Sequence, residues 1–212
     1  KSKQYLGYFL YIIAEALKQK LKNTGYKDSR ELIKTNNQFG KATVNFEITN
    51  KLITDYFASN KNQVVVMPGF IAASLDGINT TLGRGGSDYS AAIISAALNA
   101  NELEIWTDVN GMFTANPKLV KQAQPIAFIS YQEAMELSHF GAKVLYPPTI
   151  QPVLSKNIPI LIKNTFEPEA DGTYISNQEM DHTNPVKGIS HIDNITLITL
   201  EGPGMIGVTG SS

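Results

Sequence analysis

Cysteine is absent from the 212 residues, which excludes disulfides and thiolate metal sites and fits a reducing, cytoplasmic compartment. No apolar run approaches the length of a membrane span, so no membrane partner is expected. Charge of one sign is not in excess either. The formal net charge is −1, which gives no electrostatic reason to expect nucleic acid or an anionic surface. Histidine is scarce: His139, His182 and His191 are scattered without metal-ligand spacing, and no protein-bound metal is read from them. A Walker A loop, a G-x-G-x-x-G after a strand and a G-x-S-x-G elbow are all missing. The chain does not begin with Met, carries no signal-peptide pattern, and stops at Gly-Ser-Ser; both ends read as cut, so a fragment is expected.

What is present is enough apolar material for a core. The chain is 42% hydrophobic and 17% charged, which excludes wholesale disorder. Residues 4–22 read as a helix stopped near Gly25, its apolar first half buried. Asp28 to Glu31 reads as a strand end turning into a helix, Val44 to Ile48 as a strand, and 49–60 as a helix capped by Thr49 or Asn50. Val64 to Met67 and Leu103 to Trp106 are short apolar runs expected to be strands buried on both faces. Phe70 to Ala73 reads as loop, and Leu75 to Asn79 as a turn. Ser130 and Glu133 match a capping box opening a helix through Leu137 and Phe140 to Gly141. A helix restarting near Thr149 and a strand over Ile158 to Ile162 follow. Two alternating strands, Val186 to Ser190 and Ile195 to Leu200, come after Pro185, so a domain boundary is expected near residue 183.

The stretch Thr80 to Ala97, TTLGRGGSDYSAAIISAA, organises the rest. Gly83, Gly85 and Gly86 free the backbone for unusual dihedrals and close approach to a ligand. Ser87 and Asp88 sit where a helix must begin, and both are good N-caps. A helix start favours an anion, and Arg84 adds a planar donor fork suited to a carboxylate or phosphate. Asp88 would repel a bare phosphate, so Arg84 and Asp88 together suit a ligand with an acid and an ammonium group. The competing reading is a tight turn capped by Ser87 beside a solvated arginine. The helix is expected to bury Ala91, Ile94, Ala97 and Leu98. Strand, helix and strand in this order suggest a βαβ unit, which places Thr107 and Asp108 on the same rim as the glycine loop.

LGRGGSDYSAA, EIWTDVNGMFTANP and SYQEAMELSHFGAKVL, in that order, resemble the aspartate kinases of the amino acid kinase family. The resemblance runs from about Asp28 to Thr173; SYQEAMELS and IKNT look most like the bifunctional aspartate kinase–homoserine dehydrogenases. The tail VKGISHIDNITLITLEGPGM resembles the first strands of a regulatory ACT region. The resemblance implies an α/β three-layer sandwich, a mostly parallel central sheet with helices on both faces. It divides the chain into a catalytic domain over 1–183, lacking its N-terminal part, and the start of an ACT-like α+β region over 184–212.

The activity implied is transfer of the γ-phosphoryl group of ATP, with Mg²⁺, to the side-chain carboxylate of L-aspartate. Arg84 would grip a substrate carboxylate, with Gly85, Gly86, Ser87 and Asp88 completing the amino acid site. Thr107 and Asp108 would hold the nucleotide, and Phe113 would lie beside base or ribose. Lys118 falls where many members carry arginine, and Lys143 would reach the phosphates; Asp88 and Lys143 are the expected catalytic pair. Threonine or lysine as effector and a homo-oligomer are implied too. The family's N-terminal Lys-Phe-Gly-Gly-Thr-Ser segment is missing, so residues 1–212 alone are expected to be inactive. Two other readings remain: a kinase of glutamate or acetylglutamate, and a non-catalytic amino-acid sensor.

Overall fold

The computed structural model describes residues 2–39, 42–139, 144–177 and 186–191. In chain order the elements are α1 (Ser2–Lys18), β1 (Thr24–Tyr26), α2 (Ser29–Leu32), β2 (Lys34–Thr35), α3 (Phe46–Ser59), β3 (Val64–Val66), β4 (Ile71–Ser74) and β5 (Asn79–Thr81). Then come α4 (Gly86–Leu98), β6 (Leu103–Thr107), β7 (Phe128–Ser130), α5 (Tyr131–His139), a 3₁₀ turn (Pro147–Ile150), α6 (Gln151–Leu154), β8 (Ile160–Asn164) and β9 (Thr173–Ser176). This is an α/β fold with mostly parallel pairing. β1 pairs with β3, β2 with β4, β6 with β8 and β7 with β9, all parallel; β4–β5 and β8–β9 are antiparallel. The strands form three sheets, of which the largest has the order β6-β8-β9-β7.

Two apolar clusters fill the interior. One joins Ile105, Met112, Ile129, Ile160, Ile162 and Ile175 around the four-stranded sheet. The other joins Leu32, Ile33, Val44, Ile53, Ala72 and Ile93 between α3, β4 and α4. Helix α4 belongs to both, because adjacent Ala92 and Ile93 are each fully buried, one in each cluster. Ala91 packs at the edge of the first cluster, and Ile94, Ala97 and Leu98 at the edge of the second; they are only partly buried, so the helix buries two faces where one was expected. A helix wedged between two cores cannot rotate, and this fixes the loop at its start.

Several local expectations fail for tertiary reasons. Within α1, Tyr8 is 70% and Phe9 63% accessible, where a buried apolar stretch is expected, and the helix stops at Lys18 while Gly25 lies inside β1. Val44 makes a single bridge to Thr35 instead of a strand, since Asn45 caps α3 there by accepting from the Ile48 N–H at 3.2 Å. Val64 is exposed and β3 pairs only with β1 among the described residues, so it is not buried on both faces. Phe70 to Ala73 reads as loop, but 71–73 join Ser74 in β4, every residue of which is buried. β6 is covered on one side only: its residues alternate, and Trp106 is 46% exposed. β5 and β6 lie in different sheets, so the strands flanking α4 are not a βαβ pair within one sheet. Residues 186–191 are irregular rather than a strand. The boundary near 183, the strand over 195–200, Phe140 and Gly141 lie outside the described residues.

Other expectations hold. The helix expected within Asp28 to Glu31 is α2, and Asp28 caps it by accepting from the Arg30 N–H at 3.0 Å. The capping box is formed: Glu133 N–H donates to Ser130 Oγ at 3.2 Å, and Ser130 N–H donates to Glu133 Oε2 at 2.9 Å. Tyr131, 1% exposed, then donates its hydroxyl to the Ile158 carbonyl, tying α5 to the approach of β8.

Candidate active site

The glycine turn is built by close approach. Gly83 and Gly85 take φ of 76° and 66°, a region that L side chains rarely adopt. Gly85, not Ser87 or Asp88, is the N-cap of α4, and it makes no side-chain cap bond. The serine and aspartate fall instead in the first helical turn, so their side chains are not spent on capping. Gly86 N–H donates to Gly83 O at 3.1 Å, and Tyr89 N–H donates to Gly85 O at 2.9 Å. The N–H groups of Ser87 and Asp88 have no acceptor within the helix, as first-turn groups cannot.

Against this turn lies Phe70, which has φ of 72° although it is not glycine. Its strain is offset locally. Phe70 N–H donates to Ser90 Oγ at 3.0 Å and to Gly86 O at 3.2 Å, and its carbonyl accepts from Leu82 N–H at 2.9 Å. A Cβ on Gly86 would meet the Phe70 ring at 2.7 Å, and one on Gly69 would meet Ser87 Cα at 2.9 Å. The sequence contained the glycines; Phe70 itself carried no local signal.

Two charges stand at this rim. Arg84 is exposed, and its guanidinium lies 5.2 Å from the centre of the Tyr146 ring, just ahead of the 3₁₀ turn. Asp88 is half-buried, and burial pushes its carboxyl above the ordinary value of 3.8. Neither pairs with a side chain of opposite charge among the described residues. A desolvated carboxylate and a guanidinium, neither in an ion pair among the described residues, are groups able to take charged ligand atoms.

The second feature is a cleft of about 420 Å³ beyond the end of β6, within the range of small-molecule sites. Thr107, Asp108, Phe113 and Lys118 all line it. Thr107 Oγ1 donates to Asp108 Oδ1 at 3.2 Å. The turn between them and Phe113 is held from β9: Met112 N–H donates to Thr173 Oγ1 at 2.8 Å, and Thr173 Oγ1 donates to the Ile126 carbonyl at 2.6 Å. Gly111, at φ 100°, lets this threonine in, since a Cβ there would stand 2.2 Å from Thr173 Oγ1. Lys118 follows a turn in which its N–H donates to Asn116 Oδ1 at 3.0 Å, which leaves its ammonium exposed.

Because α4 leads directly into β6 and packs on it, the two run in opposite senses, and the start of α4 lies toward the strand end that carries Thr107. The glycine turn and the Thr107 end of β6 therefore lie toward the same end of the α4–β6 pair. Arg84, Gly85, Gly86, Ser87 and Asp88 do not themselves line the cleft. Lys143 lies outside the described residues. Sequence reading missed the far wall, which comes from Leu137, Val144 and Ile189 to His191, and it missed Tyr146. A mixed rim of this kind suits a small zwitterion beside a larger polyanion with an apolar part.

Over 204 residues the chain is 43% identical to the bifunctional aspartokinase/homoserine dehydrogenase of Haemophilus influenzae, covering 96% of this chain and 23% of that protein. It is 46% identical over 171 residues to the chloroplastic bifunctional enzyme of Daucus carota, covering 77% of this chain and 19% of that protein. It thus spans about a quarter or less of the length of these curated relatives. The crystal structure of Escherichia coli aspartokinase III in complex with aspartate and ADP superposes with a TM-score of 0.74 at 35% identity, covering 81% of this chain and 39% of that one. The profile of the amino acid kinase family matches residues 10–164, which takes in both the glycine turn and the β6 end of the cleft: the chain belongs to the amino acid kinase family.

Proposed function

We propose that this chain is the kinase part of an aspartate kinase, of the kind joined to homoserine dehydrogenase. It transfers the γ-phosphoryl group of ATP to the side-chain carboxylate of L-aspartate. An aspartate oxygen bonds to the γ-phosphorus, the bond from that phosphorus to the β–γ bridging oxygen breaks, and ADP and 4-phospho-L-aspartate leave. What supports this reading is Arg84 outside any ion pair and a desolvated Asp88 at the start of α4, together with a cleft beyond β6 lined by Thr107, Asp108, Phe113 and Lys118.

Each group has a role its chemistry suits. Arg84 offers a fork to the α-carboxylate, and Asp88 accepts from the ammonium group. Phe113 gives the base an aromatic face, the Asp108 carboxylate accepts from sugar hydroxyls, and Lys118 attracts phosphate as a point charge. No cluster of three or more acidic, histidine or cysteine groups capable of holding a metal occurs among the described residues. Mg²⁺ is expected to arrive with the triphosphate. The ion, when bound, would offset the repulsion between carboxylate and triphosphate; the protein's own part is positioning and charge. Cytoplasmic location, control by threonine or lysine and assembly into homo-oligomers belong to the same reading. The E. coli relative that is 35% identical is a lysine-sensitive aspartokinase.

The test is to incubate the full-length protein with Mg-ATP and aspartate, glutamate or N-acetylglutamate, and to trap any acyl phosphate with hydroxylamine. Hydroxamate from aspartate alone is expected. None from aspartate, or more from glutamate or N-acetylglutamate, would overturn the assignment.

A further inference from the structure

We propose that residues 186–191 form the outer wall of the nucleotide cleft, so that displacing this strap lowers nucleotide affinity without touching the amino acid site. This rests on the reading that the cleft takes a nucleotide.

The family match ends at residue 164, yet Ile189, Ser190 and His191 line the cleft together with Phe113 and Lys118. The strap is irregular and is seated on two elements of the site. Ile189 N–H donates to the Thr114 carbonyl at 2.8 Å, next to Phe113. A Cβ on Gly188 would stand 3.2 Å from the Thr114 carbonyl oxygen and 3.4 Å from the Leu137 methyls, so the strap presses on both the cleft's floor and α5. The Thr114 strip is itself pinned, by Thr114 N–H donating to Gln124 O at 2.9 Å and by the Phe113–Pro125 bridge. The strap therefore rests on the same strip of backbone that presents Phe113.

Ile189 lines the cleft while 70% of it remains exposed. That is apolar surface facing a space that already has one aromatic wall, and a flat heterocycle between Phe113 and Ile189 would cover both. A second, smaller cleft lies on the other side of the strap, lined by Glu133, Glu136, Val186 and Lys187. The strap is thus a partition between two spaces rather than a segment sunk into a core.

The experiment uses the full-length protein and two readouts. Calorimetry with ADP compares the parent with Ile189→Asp and Ile189→Leu, alongside the KM for aspartate. Ile189→Asp is expected to weaken ADP about tenfold, because it removes the apolar wall and adds a negative charge beside a polyanion. Ile189→Leu is expected to bind like the parent, and the KM for aspartate to stay the same in both. Limited trypsin digestion, followed by mass, supplies the second readout on the unmutated protein. ADP is expected to slow cleavage after Lys187 and to leave cleavage after Lys61, in an exposed loop, unchanged. Unchanged ADP affinity in Ile189→Asp together with unprotected Lys187, in a parent that binds ADP, would overturn the strap alone. A parent that binds no ADP would overturn both the strap and the kinase reading.

Discussion

The glycine turn at the start of α4 and the cleft at the end of β6 differ in what holds them. The turn is shaped mainly by its neighbours in sequence: Gly83 and Gly85 curl the chain, while Gly69, Phe70 and Tyr146 reach in from elsewhere. The cleft is assembled from segments far apart, with Thr107 and Asp108 from β6, Lys118 from a loop, Leu137 from α5 and Ile189 from the strap. Its floor depends on Thr173, more than sixty positions from Met112, to which it is bonded. The turn should therefore tolerate backbone strain better than the cleft tolerates a misfit, and single changes there should act on binding more than on folding.

The largest expected effect tests this at two glycines with similar backbone geometry. Gly111→Ala puts a Cβ 2.2 Å from Thr173 Oγ1 and 2.8 Å from its backbone nitrogen, at a φ of 100°. The threonine must move, which breaks its bonds to Met112 and Ile126. A loss of about 3 kcal/mol or more is expected from overpacking plus left-handed strain. Gly83→Ala has φ 76° but nothing within 4 Å of the new atom, so only the strain remains, about 1 kcal/mol. Urea unfolding of the two variants measures the gap. Equal losses would mean that the two sites are not held differently.

Next in size is Arg84→Ala. On the proposed reading it removes a charge-assisted contact of about 1.5–3 kcal/mol, or roughly ten- to a hundredfold in the KM for aspartate. Stability and the KM for ATP should not change, because Arg84 is exposed and does not line the cleft. A matching rise in the KM for ATP would show that the two sites are not separate.

How much of this was legible depends on how local each cause is. The Ser130–Glu133 box and the Asp28 cap use groups two or three residues apart, and they read directly from the chain. The glycine turn and the tip of β6 stood out because Gly, Arg and Asp are costly to place there without a reason. Strand β4 was taken for loop because Pro68-Gly69 precedes it and its alanines carry little strand signal; what makes it a strand is pairing with β2 and β5. Tyr8, Phe9, Tyr11 and Ile12 of α1 are the apolar letters of a buried helix yet are exposed, and only the packing distinguishes the two cases. Ser87 and Asp88 look like caps, but Gly86 already continues the helix because Gly85 adopts a conformation open to glycine. Residues 189–191 reach the cleft through a backbone bond to Thr114, which no side-chain pattern encodes.

A subtler change separates binding from stability at Asp88. Burial raises its carboxyl, so the folded state holds the proton more tightly than the unfolded chain does. The stability this confers is fully present below the unfolded pKa of 3.8 and is lost as pH rises through the raised folded value. Asp88→Asn does not titrate, so its stability profile should be flatter across that window. It should also be no less stable than the parent at neutral pH, while aspartate affinity falls about tenfold for want of the carboxylate. Chemical unfolding across pH and calorimetry with aspartate supply the two halves. A variant that lost stability at neutral pH would mean that Asp88 is a structural residue and not a binding one.

The smallest expected effect is at Tyr146. Its ring lies under the Arg84 guanidinium at 5.2 Å, an exposed cation–π contact of about 0.5–1 kcal/mol. Tyr146 touches Arg84 rather than the proposed substrate, so it acts as a positioning residue. Tyr146→Phe keeps the ring face and should leave the KM for aspartate unchanged. Tyr146→Ala frees the guanidinium to sample other rotamers, and a two- to fivefold rise in that KM follows from the same energy range. The decisive measurement is the double variant. In an Arg84→Ala background, Tyr146→Ala should have no further effect, because the group it positions is gone. If the two effects add instead, the ring acts by another route, and the turn owes less to its distant neighbours than the contact suggests.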